Sequence, residues 1–558
     1  MAVRFVVRAP ARSAARWLLV AALCLGGIAP ASADEPAQSP LAPIIAQTLL
    51  DPQAPMLEGA RLDTKVLRAL YDTRGSEPLW VEDPDLEARV DAVLSVLRAA
   101  TREGLEPQAY RIAQIERRRG SSDGVARAEL DLLLSEAVML YGVHVRTGAR
   151  RPRVPIPDVV PAVVDPDPVR IALDVAATPA GGVASLMATL PPQTEAYRGM
   201  RELLTRYRAL AARGGWPAVP EGPKLTLGVS DASVRVLRQR LRVTGDLMED
   251  DPPGARRDVY DASLQAAVRR FQRRHGLAAD GTVGPRTRAA LNVPAAARVE
   301  QIVANMERMR WLPDDLGERY VRINIPEYRL ELSEDGRTTL EMPVIVGKAT
   351  WQTPVFSSEI RNVVFNPPWN VPPRIASEEL LPRSLVDESY FVAQAISVRS
   401  GGRLRQAPGP KNPLGRLKFN LPNPYGVYLH DTPNKDKFRL GARSLSHGCV
   451  RVADAKTLAA VLLGDTPEWD EDRRQRTLST WATRTATLRT PVPVHLTYAT
   501  AWAAHDGRAE FREDIYGIDV KLAKEIARPR AVRLPEPIVP VVVARDTTPA
   551  GSVGGAQP

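Results

Sequence analysis

Two short stretches hold the groups that can do chemistry, Tyr428-Leu-His-Asp-Thr432 and Ser446-His-Gly-Cys-Val-Arg451. Cys449 is the strongest nucleophile among them. A free thiol ionises near ~8.5 and is only a few per cent thiolate at neutral pH, so a nucleophilic role needs a base or cation close by. His430 or His447 can serve. Gly448 lets the backbone come close to a substrate, and successive N–H groups around Gly448 and Cys449 can point at a developing oxyanion. The competing use of His430, His447 and Cys449 is zinc. His-Gly-Cys is not a structural-zinc spacing, and three ligands would use up both nucleophile and base, so neither metal nor cofactor is expected.

Those residues need a strand and a tight turn to position them. If Val427 and Leu429 face the core, alternation turns Tyr428 and His430 to the opposite face, toward a cleft. The thiol is expected in a loop just ahead of a helix that begins near Asp454. It is also unusual in being alone, because the sequence has only two cysteines, Cys24 and Cys449, which excludes a disulfide-stapled framework. Residues 1–33 combine Arg4, Arg8, Arg12 and Arg16 with an apolar run from Trp17 to Ile28 and Ala31-Ser32-Ala33 before Asp34. This is the pattern of a secretory signal cut after Ala33, its run too short to span a bilayer. Bulky Leu23 argues against lipidation of Cys24, which leaves with the signal.

The formal net charge is +10, and four of those charges also lie in the signal. Basic clusters such as Arg117-Arg-Arg119 and Arg269–Arg274 fall in helical patterns and read as solvated helix sides, so nucleic acid is not expected as a partner. No later segment has about 18 uncharged apolar residues, so a soluble mature chain without a transmembrane segment, and a monomer, are expected.

With 558 residues there is room for several domains. Residues 34–215 read as a helical scaffold: Val90–Ala100 and Ala128–Val145 repeat apolar residues three and four apart, a Pro-rich extended connection covers 151–168, and helical pattern resumes over 184–213. His144 reads as structural. Residues 225–293 form a small unit in which Asp231 and Asp261 open two helices as caps. Val234, Leu237, Leu241, Leu264, Ala267, Val268 and Phe271 supply its core; Gly276 ends the second helix and Pro285 begins a third. His275 reads as a helix-end residue. A connecting helix spans 298–313. From Arg319 the period becomes two, through Val321, Ile323, Ile325, Leu330, Leu332, Leu340, Met342, Val344 and Val346, which says β-sheet. Asn366–Pro373 breaks the pattern, 374–415 reads as a partly helical insertion, and strands return at Gly426–His430 and Pro493–Tyr498. The tail over 528–558 is Pro-rich and reads as disordered.

Phe271-Gln272, His275-Gly276-Leu277, Asp280-Gly281, Val283-Gly284, Thr287 and Ala290-Leu291-Asn292 together resemble the three-helix type of peptidoglycan-binding domain. His430, followed after 15 residues by Ser446-His-Gly-Cys-Val-Arg451, resembles the signature of YkuD-type L,D-transpeptidases. With the helical region and the binding unit ahead of it, the chain resembles the long, periplasmic, multi-domain members of that family in Gram-negative bacteria. The fold this implies is multi-domain α+β: an α-helical scaffold, a small three-helix peptidoglycan-binding domain, and a mostly-β YkuD-type catalytic domain over 319–500 with 374–415 as a capping insertion.

The resemblance implies Cys449 as nucleophile and His430 as general base, oriented by the backbone carbonyl of Asp431, whose side chain also lies within the motif. His447, Gly448 and Cys449 would supply oxyanion N–H groups, with Tyr428 as a further hydroxyl donor or a stacking wall. Arg451 would either hold the loop or meet a substrate carboxylate. Ser446, Trp351 and Trp369 would line the substrate groove, a buried aromatic role being the alternative for each tryptophan. The implied reaction is attack on the third residue of a peptidoglycan stem, release of the terminal D-alanine and a thioester. An amine on the third residue of a second stem then resolves it to a 3-3 cross-link. The family also implies diaminopimelate as that residue and carbapenems as inhibitors. Peptidoglycan stems and glycan are the implied partners, with peptidoglycan synthases beside them. Water or a lipoprotein as acceptor stays open. A wall-binding scaffold without catalysis would predict a blunted nucleophile pair, yet His430 and Cys449 are both present.

Overall fold

The computed structural model describes residues 38–50, 56–57, 60–149, 166–248, 256–528 and 534. The expected signal over 1–33, with Cys24, lies outside the described residues, as do 151–165 of the Pro-rich connection and the tail beyond 528 apart from Leu534.

Apolar residues at helical spacing build the N-terminal region. Helices α1 (Ala42–Leu50), α2 (Thr64–Asp72), α3 (Leu86–Arg98), α4 (Ile112–Arg118), α5 (Gly124–Thr147), α6 (Pro168–Ala177) and α7 (Ala180–Ala188) share one core. α5 is buried along nearly its whole length because it runs through the middle of that core. A short hairpin pairs β1 (Met56–Leu57) with β2 (Ala60–Arg61). The extended connection ends sooner than the prolines suggested: Pro168 opens α6 behind the capping Asp167, since the first turn of a helix leaves that N–H unpaired in any case. His144 is buried and lies 3.1 Å from the Tyr110 hydroxyl, a packing role.

Beyond α8 (Glu195–Ala212), α9 (Ala232–Val243), α10 (Ala262–Arg274) and α11 (Pro285–Leu291) make the three-helix unit. Asp231 and Asp261 accept the N–H of Ser233 at 2.8 Å and of Leu264 at 2.9 Å. One expectation fails here. Arg274 is not on a solvated face: it is buried, its Nε donates to buried Asp246 at 2.6 Å, and its Nη1 donates to the Ala509 carbonyl at 3.1 Å. A guanidinium enters a core when its charge and donors are met there. Replacing Asp246 by alanine strands that charge, and the expected loss is about 3–5 kcal/mol, measured by urea unfolding. α12 (Ala295–Met309) also does more than connect. Its Ile302 and Met306 pack with Tyr197, Met200, Leu203 and Leu204 of α8.

The C-terminal half is mostly β. Strands β3 (Arg319–Asn324), β4 (Arg329–Glu334), β5 (Arg337–Gly347) and β6 (Phe356–Phe365) lead into an inserted subdomain. It contains β7 (Trp369–Asn370), α13 (Pro373–Ile375), α14 (Leu381–Val386), α15 (Tyr390–Ala393), β8 (Ile396–Val398) and β9 (Leu404–Gln406). Its three strands, in the order β7-β9-β8, were not foreseen, and a π-helical stretch covers Ala376–Leu380. The domain continues through β10 (Leu417–Asn420), β11 (Leu429–His430), β12 (Ser444–Ser446), β13 (Val450–Val452), α16 (Ala455–Leu462), α17 (Glu471–Leu478) and β14 (Arg484–Thr497). The main sheet has the order β12-β5-β13-β11-β10-β6-β14-β3-β4, and β4 pairs with β5 again. It therefore closes on itself as a barrel, with β12 an extra strand beside β5. Val321, Ile323, Leu330, Leu332, Val344 and Val346 fill the core on one face.

Elements beyond 500 pack onto both regions. The hairpin of β15 (Ala501–Ala503) and β16 (Ala509–Phe511) joins the core of α8 and α12, and Tyr516 with Ile518 and Leu522 of α18 (Ile518–Ala527) joins the barrel core. Among the described residues no helix is long and apolar enough to cross a membrane.

Candidate active site

The parallel pairing of β11 with β13 assembles the motif. Leu429 stands opposite Val450 and His430 opposite Arg451, and the Val450 N–H donates to the Tyr428 carbonyl at 3.1 Å. Leu429 and Val450 are fully buried in the barrel, so alternation sends Tyr428, His430, Cys449 and Arg451 to the other side. β10 adds Lys418, paired with His430.

Cys449 lies in the turn between β12 and β13, not directly before a helix; α16 follows only after β13, with Asp454 accepting the Thr457 N–H at 3.0 Å. The turn is held from several sides. Ser446 Oγ donates to the Cys449 carbonyl at 2.6 Å and accepts the Gly448 N–H at 3.2 Å. Gly448 has φ +106°, a left-handed conformation that favours glycine. Its carbonyl accepts the Thr353 hydroxyl at 2.8 Å; Thr353 Oγ1 in turn accepts the Gly347 N–H at 2.9 Å, and Tyr516 donates its hydroxyl to the Gly347 carbonyl at 2.6 Å. The Gly448 N–H is thus already engaged, whereas the Cys449 N–H has no acceptor among the described residues.

The two histidines of the motif have separate surroundings. His430 is buried, with Nδ1 2.5 Å from the Asp431 carbonyl oxygen, which leaves Nε2 as the free ring nitrogen. The Asp431 carboxylate points elsewhere, to Lys435 Nζ at 2.5 Å and the Arg416 N–H at 2.8 Å. His447 turns to the inserted subdomain: Nε2 is 2.6 Å from Glu379 Oε1, and its ring meets Trp351 edge-on at 4.9 Å. The Arg374 guanidinium covers Trp351 at 3.8 Å. Trp351 and Trp369 both pack against the small core of the insertion, so each is a partly buried wall at the seam.

Burial dominates the electrostatics. It pushes His430 down to about 3, helped by the charges of Arg451, Lys418 and Lys435 and opposed by the Asp431 carbonyl. Burial also pushes the Cys449 thiol up, against the N–H and hydroxyl of Tyr428 and the charges of Lys418 and Arg451. The resting pair is therefore a thiol and a neutral imidazole. Cys449 Sγ lies 3.9 Å from the Gly426 carbonyl oxygen and makes no hydrogen bond to His430. The Tyr428 phenol is raised by burial and by the neighbouring Cys449. Lys418 stands 4.1 Å over the Tyr428 ring. Arg451 is half-buried with its Nε unpartnered among the described residues. Alkylation of Cys449 by iodoacetamide is accordingly expected to be slow at pH 7 and still rising above the ~8.5 of a free thiol. A rate plateau below pH 7 would instead mean a resting thiolate–imidazolium pair.

Residues 318–494 match the family model described as the L,D-transpeptidase catalytic domain. The chain carries a YkuD L,D-transpeptidase catalytic domain. Ahead of it, residues 65–204 match the model of the scaffold domain and 230–291 that of the "Putative peptidoglycan binding domain". A Haemophilus influenzae protein named "Putative L,D-transpeptidase" is 38% identical over 240 residues, which cover 39% of this chain and 48% of that protein. The chain thus spans about half the length of the curated relative it matches. Among solved structures, an L,D-transpeptidase from Mycobacterium smegmatis is 16% identical over 32% of this chain and 58% of its own, with TM-score 0.19. One from Stackebrandtia nassauensis is 14% identical over 50% and 96%, with TM-score 0.20.

Several residues around the motif carry no signature of their own in the sequence pattern or only a faint one. Lys418 had a readable signal, a lone cation between core-facing Leu417 and Phe419, which places it on the cleft side of its strand. Thr353, Glu379 and Tyr516 had none, since their contacts cross 95, 68 and 169 residues. Gly347 is fixed by space: a Cβ there would stand 2.0 Å from the Trp351 carbonyl oxygen. Gly347→Ala is expected to displace the Thr353–Gly448 support and so, with Cys449 as the nucleophile that the motif implies, to slow its acylation on the order of 10²-fold, read by single-turnover mass spectrometry.

Proposed function

We propose that the chain is an L,D-transpeptidase that forms 3-3 cross-links in peptidoglycan through a thioester on Cys449. The observation that carries this reading is the β11–β13 register, which sets His430 and Tyr428 beside Cys449 and Arg451 on one face. The neutral imidazole is in the form that accepts a proton. In the first step Nε2 of His430 takes the thiol proton as Sγ attacks the carbonyl of the third stem residue; hydrogen bonds that are absent in a resting site tighten when substrate binds. The Cys449 N–H and the Tyr428 hydroxyl stabilise the oxyanion. The imidazolium returns its proton to the amine of the departing D-alanine, leaving the thioester. An amine on the third residue of a second stem loses a proton to His430 and displaces the thiol.

In this reading Arg451 holds a stem carboxylate, Trp351 and Trp369 wall the groove, and the three-helix unit anchors glycan and stems. Export through the signal over 1–33 places the protein in the periplasm, where its substrate is. The test is incubation of the purified chain with disaccharide-tetrapeptides followed by muropeptide analysis. Dimers linked through two third residues are expected. Tripeptide alone means that water resolves the thioester and the activity is L,D-carboxypeptidase; no change in the muropeptides removes the catalytic reading.

A further inference from the structure

A cavity of about 600 Å³ lies away from Cys449, between the three-helix unit and the barrel. Arg273 and Arg286 line it from one side and Tyr328, Arg439 and Arg443 from the other, with Glu513 on the rim. Its volume suits a ligand of a few residues. Arg273 and Arg439 are exposed and have no carboxylate partner among the described residues, while Arg286 reaches Glu513 only at 4.0 Å. By contrast Arg512 is held by Glu327 at 3.0 Å, and Arg329 by Glu331 at 3.2 Å. The cavity therefore offers free guanidinium groups for carboxylates and, in Glu513, a loosely held carboxylate for an amine. Such a mixed lining, six arginines with three glutamates, suits a peptide that carries both carboxylates and an amine.

The wall of this cavity leads directly to the catalytic turn. Arg443 stacks 5.2 Å from the Tyr328 ring and its carbonyl accepts the Val346 N–H at 3.0 Å; Tyr328 Oη is 2.8 Å from Ser444 Oγ on β12, the strand that ends at Ser446. Along β5, Pro343 at the cavity and Gly347 at the turn are four residues apart, roughly 13 Å, close to the reach of an extended tetrapeptide.

Resting on the proposed function, we infer that this cavity binds the carboxylates and amine of a second peptidoglycan stem, distinct from the donor stem held at Cys449. The test uses the full chain carrying Cys449→Ala, so that nothing turns over, titrated calorimetrically with a soluble disaccharide-tetrapeptide. Adding Arg273→Glu and Arg439→Glu is expected to weaken binding on the order of tenfold, raising salt is expected to have a similar effect, and Arg273→Lys with Arg439→Lys is expected to restore most of it. Circular dichroism checks that each variant is folded. Equal affinity with and without the charge reversals overturns the inference, as does tighter binding of inorganic polyphosphate than of the muropeptide. Failure of the cross-linking reading appears separately, as a native chain that produces no dimers.

Discussion

Replacing Cys449 by alanine is expected to abolish acylation, with a loss of at least ~10⁴-fold in thioester formation. The measurement is intact-protein mass spectrometry after incubation with a carbapenem: the native chain gains one drug mass on a peptide containing Cys449, and the variant gains none. Cys449 is a free thiol, and the chain's other cysteine lies in the expected signal, so an adduct has one thiol to occupy. Serine is not expected to rescue. An alcohol is a much weaker acid and a poorer nucleophile than a thiol, and an imidazole pushed down to about 3 is too weak a base to make up the difference. An undiminished adduct in the alanine variant would place the chemistry elsewhere.

His430→Gln is expected to slow acylation by about 10²–10⁴-fold while leaving the thiol in place. Glutamine can still donate to the Asp431 carbonyl but cannot take a proton. The pH dependence gives an independent reading. Because burial holds His430 neutral down to about 3, the native rate is expected to show no acid limb near the ~6.5 of an ordinary histidine; a limb there would mean a solvated imidazole. The same shift has a sign for stability. Below ~6.5 the unfolded chain takes up this proton before the folded one does, so stability is full above ~6.5 and is lost as pH falls toward about 3. Between pH 7 and pH 5 the native chain is expected to lose about 1–2 kcal/mol more than His430→Gln in urea unfolding. Buried His275 and His495 are shifted down as well, by burial first, but they are common to both proteins and cancel in the comparison.

What could be read in the sequence was whatever repeats locally. Three- and four-residue spacing gave α3 and α5, the Asp caps gave α9 and α10, and alternation gave β3 to β5. The expected order of a helical N-terminal region and a mostly-β domain is the order found. The residues of the motif were also visible, because a lone cysteine beside His-Gly needs an explanation. What stayed hidden depends on long-range contacts. Strands of two or three residues, such as β7 to β9, are too short to show a period. The burial of Arg274 depends on Asp246, 28 positions away, and on the Ala509 carbonyl, 235 positions away. Solvated helix sides and buried guanidinium groups look alike until their partners are known. By residue type alone, without the resemblance, the two histidines were indistinguishable for the same reason, since Glu379, which claims His447, lies 68 positions away.

Tyr516 gives the catalytic turn an unexpected dependence on the order of synthesis. Its hydroxyl supports Gly347 and, through Thr353, Gly448, yet it is made after every residue of the motif and lies past the stretch that matches the catalytic-domain family. A chain that stops near 500 would contain both histidines and the thiol but would lack this support. Truncation ahead of Tyr516 is therefore expected to loosen the turn that holds Cys449 while leaving every residue of the motif in place.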